Sequence, residues 1–389
     1  NTKYPFFFKD LIAFWFKFCI LRKIYLLILF VIKYFSISYI YKKMQILKKK
    51  LVFIAEISAN HDGQLNNVFK LIDDAKKNDA DLIKLQTFKP ENMTINSSKK
   101  EFLVKDGIWK NQKLYDLYAK GQTPYKWHKK IFKYSKKKKI QCFSTPFHED
   151  DVDFLETLKT PLYKVASFEL NHIPLIKKIA KTQKPIIIST GMAKLNEIEL
   201  AYKTAKRYGA KEIILLYCVS NYPAKDSDFN LNNIEFLIKK FNCRVGLSDH
   251  SNNTEIAKAA IAAGATVIEK HIALRNNTKS LDYKFSLKDK EIKYFINSLK
   301  NVVSLMGKKN FFRPKSEYKN RKFRRSIFAS QDIQKGEKFS RKNLKILRPS
   351  IGLEPLFFDK ILGQKSRFNV KKNSPIRKTL IRKIKLIKT

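Results

Sequence analysis

The chain has 389 residues, 44% hydrophobic and 29% charged, with a formal net charge of +46. That length and apolar content exclude a disordered chain and leave room for one large domain plus a small one. The charge alone would point to nucleic acid. The lysines, however, are spread along every expected helix, with no zinc-finger spacing and no RNP-like aromatic run, so an anionic substrate is the better reading.

Residues 1–43 differ from the rest: Phe, Ile, Leu, Tyr and Trp dominate, with scattered Lys and Arg. The apolar run 24–41 falls short of the ~20 residues of a membrane span, and no small-residue cleavage site follows it. The first methionine is Met44, directly before the regular pattern begins. This extension reads as upstream sequence translated from an AT-rich frame. A membrane segment is the alternative, and a membrane partner is expected only if the extension is real.

From Val52 strands and helices alternate. Strands are expected at 52–58, 82–88, 140–147, 162–167, 185–190, 212–218, 244–248 and 266–270. Helices are expected at 66–78, from Pro124, from Asp150, and at 174–181, 197–208, 232–240, 254–263 and 288–306. Eight strand–helix repeats within residues 44–306 give an α/β fold, a (β/α)8 TIM barrel. The strands are apolar throughout, as strands covered on both faces are. No GxGxxG follows the first, which counts against an open doubly wound sheet. Residues 307–325 read as a basic, Pro-containing linker. Residues 326–389 read as a small domain of short strands with a Lys-Gly turn and a basic tail that holds a strand.

The carboxyl ends of barrel strands converge on one site. Those ends carry Glu56, Ser58, Asn60 and His61; Lys84 and Gln86; Ser144 and Thr145; Lys164, Ser167 and Glu169; Ser189, Thr190 and Gly191; Ser220, Asn221 and Tyr222; Ser248, Asp249 and His250; Glu269 and His271. Lys84 and Lys164 sit inside apolar strands. Either they meet an anionic ligand, with Ser167, Ser189 and Ser248 completing its cradle, or they pair with Glu56 and Glu269. His250 and His271 fall just past strands seven and eight, and barrel closure brings Glu56 alongside. Two imidazoles and a carboxylate suit a divalent ion; two polar loop residues are the plain alternative. His61 reads as a buttress. His128, His148 and His172 read as surface or capping residues, and Trp109 and Trp127 as packing or lid residues. The four cysteines, Cys19, Cys142, Cys218 and Cys243, form no CxxC and read as buried free thiols of a reducing compartment, so the expected location is cytoplasmic.

The segments AEISANHDG, IKLQTF, FSTPF, YKVASFE, STGMA, GLSDH and IEKH occur in that order. Together they resemble the sialic acid synthase family, transferases that condense phosphoenolpyruvate with an amino-sugar aldehyde. SIFASQDIQKGE and RPSIGL resemble the antifreeze-like SAF (β-clip) domain of those enzymes. The resemblance spans about residues 50–376 and does not reach residues 1–43. The run GIWKNQKLYDLYAKGQTPYKWH and the segment LDYKFSL look closest to the pseudaminate-forming branch, with neuraminate- and legionaminate-forming branches as alternatives.

The resemblance implies a divalent ion, Mn2+ first with Mg2+ or Co2+ as alternatives, held by His250 and His271. It gives catalytic roles to Glu56, Lys164 and Asp282. Lys84, Lys164, Ser167, Ser189 and Ser248 match phosphoenolpyruvate-holding positions, and Gln86, Glu169, Tyr222 and Asp282 match sugar-facing ones. Ser220 is on the phosphoenolpyruvate side, where the neuraminate enzymes carry Asn. Arg348 matches an arginine that enters the partner's site, implying a domain-swapped homodimer. Two readings of other classes stand against this: a basic protein binding nucleic acid or a membrane surface, and an aldolase forming a Schiff base on Lys164.

Overall fold

The computed structural model describes residues 45–308, 310–311 and 313–381. The reading of residues 1–43 and that of Cys19 lie outside the described residues, as do the last eight residues of the basic tail. Contacts divide the chain into two compact units at Gly307 and Lys308.

In the first unit eight parallel strands close on themselves. These are β1 Val52–Glu56, β2 Leu82–Thr87, β3 Gln141–Pro146, β4 Tyr163–Val165, β5 Ile186–Ser189, β6 Ile213–Cys218, β7 Arg244–Asp249 and β8 Val267–Ala273. Each pairs with its neighbour in sequence, and β1 pairs with β8. This is the expected (β/α)8 barrel. The helices lie outside: α1 Leu65–Lys77, then α2 Leu114–Gly121 and α3 Tyr125–Lys137 in the long second connection. They continue as α4 Glu149–Thr157, α5 Ile173–Lys181, α6 Leu195–Arg207, α7 Asn232–Phe241, α8 Thr254–Ala262 and α9 Lys290–Met306.

Period and packing agree. Helix α1 buries Val68, Leu71, Ile72 and Ala75, and α9 buries Ile292, Phe295, Ile296 and Leu299, each set one helical stripe. They pack on the outward-facing strand residues, such as Phe53, Ala55, Ile83 and Ile188. Full burial of each Val, Leu, Ile or Phe among them stabilises by roughly 2 kcal/mol.

The inward-facing residues change character along the barrel axis. A lower plug holds Leu47, Val52, Ile54, Leu82, Phe143, Ile187, Ile214, Leu216 and Val267. Two residues further along the same faces stand Glu56 after Ile54, Lys84 after Leu82, Ser189 after Ile187 and Glu269 after Val267. The same alternation that seals one end therefore makes the other end polar. Gly246 is required in β7, because a Cβ there would lie 2.1 Å from the Val267 carbonyl oxygen of β8.

Several elements depart from expectation. Strand β8 runs on to Ala273, so His271 lies within it and not past its end. It continues into a pairing with β9, Leu287–Lys288, which no periodicity announced. His128, expected at the surface, is fully buried; its Nε2 lies 2.8 Å from Thr87 Oγ1 and its Nδ1 3.2 Å from the Pro124 carbonyl. His148 caps α4 as expected, accepting from Asp150 N.

In the second unit β10 Ser326–Ala329 and β11 Leu344–Leu347 are antiparallel. Ile327, Ile333, Phe339, Leu344, Phe357 and Ile376 form its core. Gly336, at φ +89°, makes the Lys-Gly turn. The segment before β10 contains two exposed helical turns, Lys315–Tyr318 and Lys319–Phe323. At the start of the tail Lys378–Leu380 form a 3-10 turn, and residues 382–389 of the stretch in which a strand is expected lie outside the described residues. Among the described residues no helix is long and apolar enough to cross a membrane.

Candidate active site

A cavity of about 410 Å3 opens at the carboxyl ends of the barrel strands. It is lined by Glu56, Lys84, Gln86, Lys164, Ser167, Glu169, Ser189, Ser220, Tyr222, Ser248, His250, His271 and Asp282, every barrel residue given a catalytic, substrate or metal role above, but not by Asn60, His61 or Asp249. Arg348 belongs to the second unit.

Its floor is a buried chain of charges. Lys84 Nζ is in ion-pair contact with Glu56 Oε2 and lies 3.2 Å from Glu269 Oε1. Lys164 Nζ lies 2.9 Å from the same Glu269 oxygen, and Ser248 Oγ donates to it at 3.0 Å. Of the two readings of these lysines, the pairing with Glu56 and Glu269 is therefore the one the structure shows. Burial disfavours both ammonium groups, but the outcomes differ. Glu269 and Glu56 together hold Lys84 above its ordinary range, whereas Lys164, with Glu269 alone and Lys84 nearby, is held below it. Burial also opposes the charge on Glu269, yet the two lysines hold its carboxyl well below the usual range. Two lysines thus face three carboxylates, Glu56, Glu269 and Asp282, besides Glu169. By itself the cavity is not cationic.

Glu169 stands apart. Burial pushes its carboxyl up to about 7, only partly opposed by its own backbone amide and by Lys164 and Lys84, and its Oε2 has no hydrogen-bond partner. A raised carboxyl favours the folded state most below its unfolded value of 4.5, and that advantage fades as pH rises through about 7. In denaturant titrations of the ligand-free protein, stability is expected to fall across this window by at most about 3 kcal/mol. A Glu169→Gln variant should lack that slope; an identical pH profile would show that Glu169 titrates normally.

At the cavity wall the His250 and His271 ring centroids are 5.4 Å apart. His250 Nδ1 lies 3.1 Å from the Val219 carbonyl. A carbonyl only accepts, so Nδ1 carries the proton and Nε2 keeps its lone pair. His271 Nδ1 lies 3.3 Å from Asp282 Oδ2, within ion-pair reach but off the line of a hydrogen bond. In both rings the Nδ1 side is turned to an acceptor, as metal-binding imidazoles usually are. The pair therefore fits a divalent ion bound through the two Nε2 atoms. Glu56 does not complete this set. Its Cα is the register partner of His271, but its carboxylate turns to Lys84 and to Ser58 N, 2.7 Å away. Among the described residues no group of three or more His, Cys, Asp or Glu side chains is arranged to hold a metal. The carboxylate that barrel closure was expected to bring alongside the imidazoles is therefore near them along the chain but turned away, and the metal reading rests on His250 and His271 alone.

Asn60, buried behind the cavity, supports the loop beside His271. Its Nδ2 donates to the Ile272 carbonyl at 2.8 Å and to Ser286 Oγ at 2.9 Å, while its Oδ1 accepts from Ser280 Oγ and Asp282 N. One side chain from the first loop therefore folds the 273–287 loop and presents Asp282. Burial opposes Asp282's charge, but His271 and the Ser58 hydroxyl hold its carboxyl below the usual range. Ser167 Oγ accepts from Gly191 N at 3.1 Å. A Cβ on Gly191 would lie 2.0 Å from Ser220 Oγ and 2.8 Å from Ser167 Oγ, so any side chain there would push these two hydroxyls aside.

His61 acts as a buttress: it is buried, its Nε2 is 3.4 Å from Thr123 Oγ1, and its ring meets Trp127 edge-on. Burial lowers its pKa to about 4, so it is neutral at pH 7. Trp109 lines the cavity with its ring 5.7 Å from Tyr222, whereas Trp127 packs on the barrel core. Cys218, read as a small core residue, is buried but also lines the cavity.

Sequence reasoning missed two parts of the site. Phe285 packs against His271 and His250 at 5.0 and 6.0 Å between centroids. Phe88, Met93, Leu117, Phe147 and Leu281 add apolar side chains to the lining of the same cavity. They come from separate connections, and no spacing in the chain marks them as one surface.

Comparison with known proteins agrees with this geometry. A model of the NeuB family matches residues 71–311, and one of the SAF domain matches residues 324–382. The pseudaminic acid synthase of Campylobacter jejuni subsp. jejuni serotype O:2 is 43% identical over 83% of this chain and 94% of its own. The N,N'-diacetyllegionaminic acid synthase of the same organism is 38% identical over 85% of this chain and 99% of its own. The solved N-acetylneuraminic acid synthetase of Leptospira borgpetersenii superposes with a TM-score of 0.64 at 29% identity, covering 70% of this chain and 90% of that one. With a barrel that gathers the seven recognised segments at one mouth and a second unit that matches SAF, the chain belongs to the NeuB family.

Proposed function

We propose that this enzyme is a transferase that condenses phosphoenolpyruvate with 2,4-diacetamido-2,4,6-trideoxy-L-altrose to give pseudaminic acid and phosphate. The observation that carries the reading is a cavity whose lining combines a charged floor, two histidines and apolar side chains. In the reaction C3 of phosphoenolpyruvate attacks the open-chain aldehyde, water adds at C2, and phosphate leaves with cleavage of the C–O bond. His250 and His271 would hold the divalent ion, Mn2+ in first place, which supplies Lewis-acid polarisation of the aldehyde when bound.

The chain's own residues do the rest. Lys84, Lys164, Ser167, Ser189, Ser220 and Ser248 hold the phosphate and carboxylate, stabilising charge as it shifts to the leaving group. Glu56, paired with Lys84, is the acceptor for the proton of the attacking water. Lys164, whose charge burial disfavours, is the better proton donor of the two lysines. Gln86, Glu169, Tyr222 and Asp282 face the sugar. Because the cavity's own lysines are already neutralised, a trianionic substrate needs further positive charge. The divalent ion and Arg348 of a second subunit's SAF domain, in a domain-swapped homodimer, would supply it. The barrel at residues 44–306, the linker at 307–325, the SAF domain at 326–389 and a cytoplasmic location complete the proposal.

The apolar part of the lining supports the trideoxy acceptor. A methyl group is matched there, whereas a hydroxyl would lose its water without gaining a partner, at about 1–3 kcal/mol. The test is phosphate release by the purified chain with Mn2+, phosphoenolpyruvate and each candidate sugar. The diacetamido-trideoxy sugar is expected to exceed N-acetylmannosamine by about a hundredfold in kcat/KM. A preference for N-acetylmannosamine would overturn the acceptor, and no phosphate with any sugar would overturn the reaction.

A further inference from the structure

Strand β7 ends on Asp249, beside Lys270 within β8, and both residues face away from the cavity. Side chains alternate along a strand, so His271 turns inward and its neighbour Lys270 turns towards the helices. There the Lys270 ammonium stands 5.7 Å from the ring centroid of Phe295 on α9. Lys270 is the register partner of Asp249. Its Nζ donates to Asp249 Oδ2 at 2.8 Å, to the Ser251 carbonyl at 2.7 Å and to the Asp249 carbonyl at 3.4 Å. The other carboxylate oxygen, Asp249 Oδ1, accepts from Ser251 N at 2.8 Å and from Ser251 Oγ at 2.7 Å. Asp249 and Ser251 are 0% exposed and Lys270 is 3% exposed, so water does not relieve any of these groups.

The residue between Asp249 and Ser251 is His250. One buried cation therefore grips the chain on both sides of one imidazole while its own backbone leads directly into the other. A third tie, from Ala224 N to the His250 carbonyl at 3.0 Å, holds the same peptide from β6's side. A buried ion pair is a poor device for stability alone, since apolar residues of the same volume often serve as well or better. What an apolar pair lacks is direction. Three donors on one nitrogen fix how far strand end β7 lies from β8, and with it how far His250 lies from His271.

We infer that the Asp249–Lys270 ion pair is a positioning device that sets the separation of His250 and His271 for one shared divalent ion. This rests on the reading of those two side chains as the metal's ligands. Neither Asp249 nor Lys270 touches the cavity, so both act only through the histidines.

The experiment measures the Mn2+ dissociation constant of the full chain by electron paramagnetic resonance, without substrates, beside its metal-free melting temperature. The double variant Asp249→Leu with Lys270→Met removes both charges at similar volume. Its dissociation constant is expected to rise about 10- to 100-fold while the metal-free protein melts no earlier. Its kcat should fall with the KM for phosphoenolpyruvate little changed. Lys270→Arg, which keeps charge and donors, should hold Mn2+ within a few-fold of the parent. If the double variant does not fold, Ser251→Ala, which removes one donor to Asp249, should still weaken Mn2+ several-fold. Unchanged Mn2+ affinity in the folded double variant, or in Ser251→Ala where only that variant folds, overturns the positioning role. His250→Ala is measured alongside: if it keeps full affinity the metal site itself is misread, and if it loses affinity while the double variant does not, only the positioning inference falls.

Discussion

A His250→Ala variant is expected to lose at least about a thousandfold in kcat while melting within a few degrees of the parent protein. The size follows from what is removed. Loss of a residue that only orients a ligand costs about 10- to 100-fold, and loss of one donor to developing charge about 100- to 1,000-fold. A ligand in a site with two protein ligands serves both ends, so the loss should be larger. The fold should survive, because the His250 side chain's contacts at Nδ1 are one ordinary hydrogen bond, to the Val219 carbonyl, and a weak one with Cys218 Sγ, and the strand's ladder does not depend on the side chain. His271→Ala should behave alike in turnover and should also release Asp282, its partner at 3.3 Å. Steady-state phosphate release and metal content by mass spectrometry check both variants; full turnover in either metal-free variant would end the metal reading.

Glu269→Gln is expected to be the most destabilising single change in the cavity, by about 3–5 kcal/mol. Glu269 is the common partner of Lys84 and Lys164, at 3.2 and 2.9 Å, and all three are buried. Without it, Lys84 keeps Glu56 but Lys164 is left as a buried charge with no counter-ion among its ion pairs. The folded carboxyl of Glu269 is held low, so its stabilisation is present above the unfolded value of 4.5 and is lost as pH falls below it. The gap between parent and variant should therefore narrow in acid. Phosphoenolpyruvate should raise the melting temperature of the variant more than that of the parent, because the substrate becomes the missing anion. Calorimetry with and without phosphoenolpyruvate at two pH values reads both effects. A loss under about 1 kcal/mol would show that the floor's ion pairs carry no net stability.

How far the site was legible can be judged residue by residue. Lys84 was visible because a lysine inside LIKLQTF breaks an apolar strand at an inward position, and the structure places it in the cavity floor. His250 and His271 were visible as polar residues at the ends of adjacent strands, and their rings do meet. Glu56 was read correctly as near, since its Cα registers with His271, but incorrectly as facing the imidazoles. Strand register fixes where a Cα stands. Where the carboxylate points is decided by the strongest neighbour, and that neighbour is a lysine on the other side, in β2. His128 failed for a related reason: its helix was legible, but burial depended on Thr87, presented by a different strand.

The sequence alone determined the barrel, the order of its strands and the polar end, because these follow from period and alternation, which are local along the chain. It also determined the family, because seven segments keep their order and content. Only the tertiary structure decided that both lysines are already neutralised, that Asn60 folds the loop carrying Asp282, that apolar side chains share the cavity with the charged floor, and that Asp249 and Lys270 stand behind the histidines. Each of these joins residues from different connections or strands. Their meeting is set by closure of the ring, which brings β8 against β1, and by side-chain direction at its mouth, neither of which is written in the spacing of any one segment.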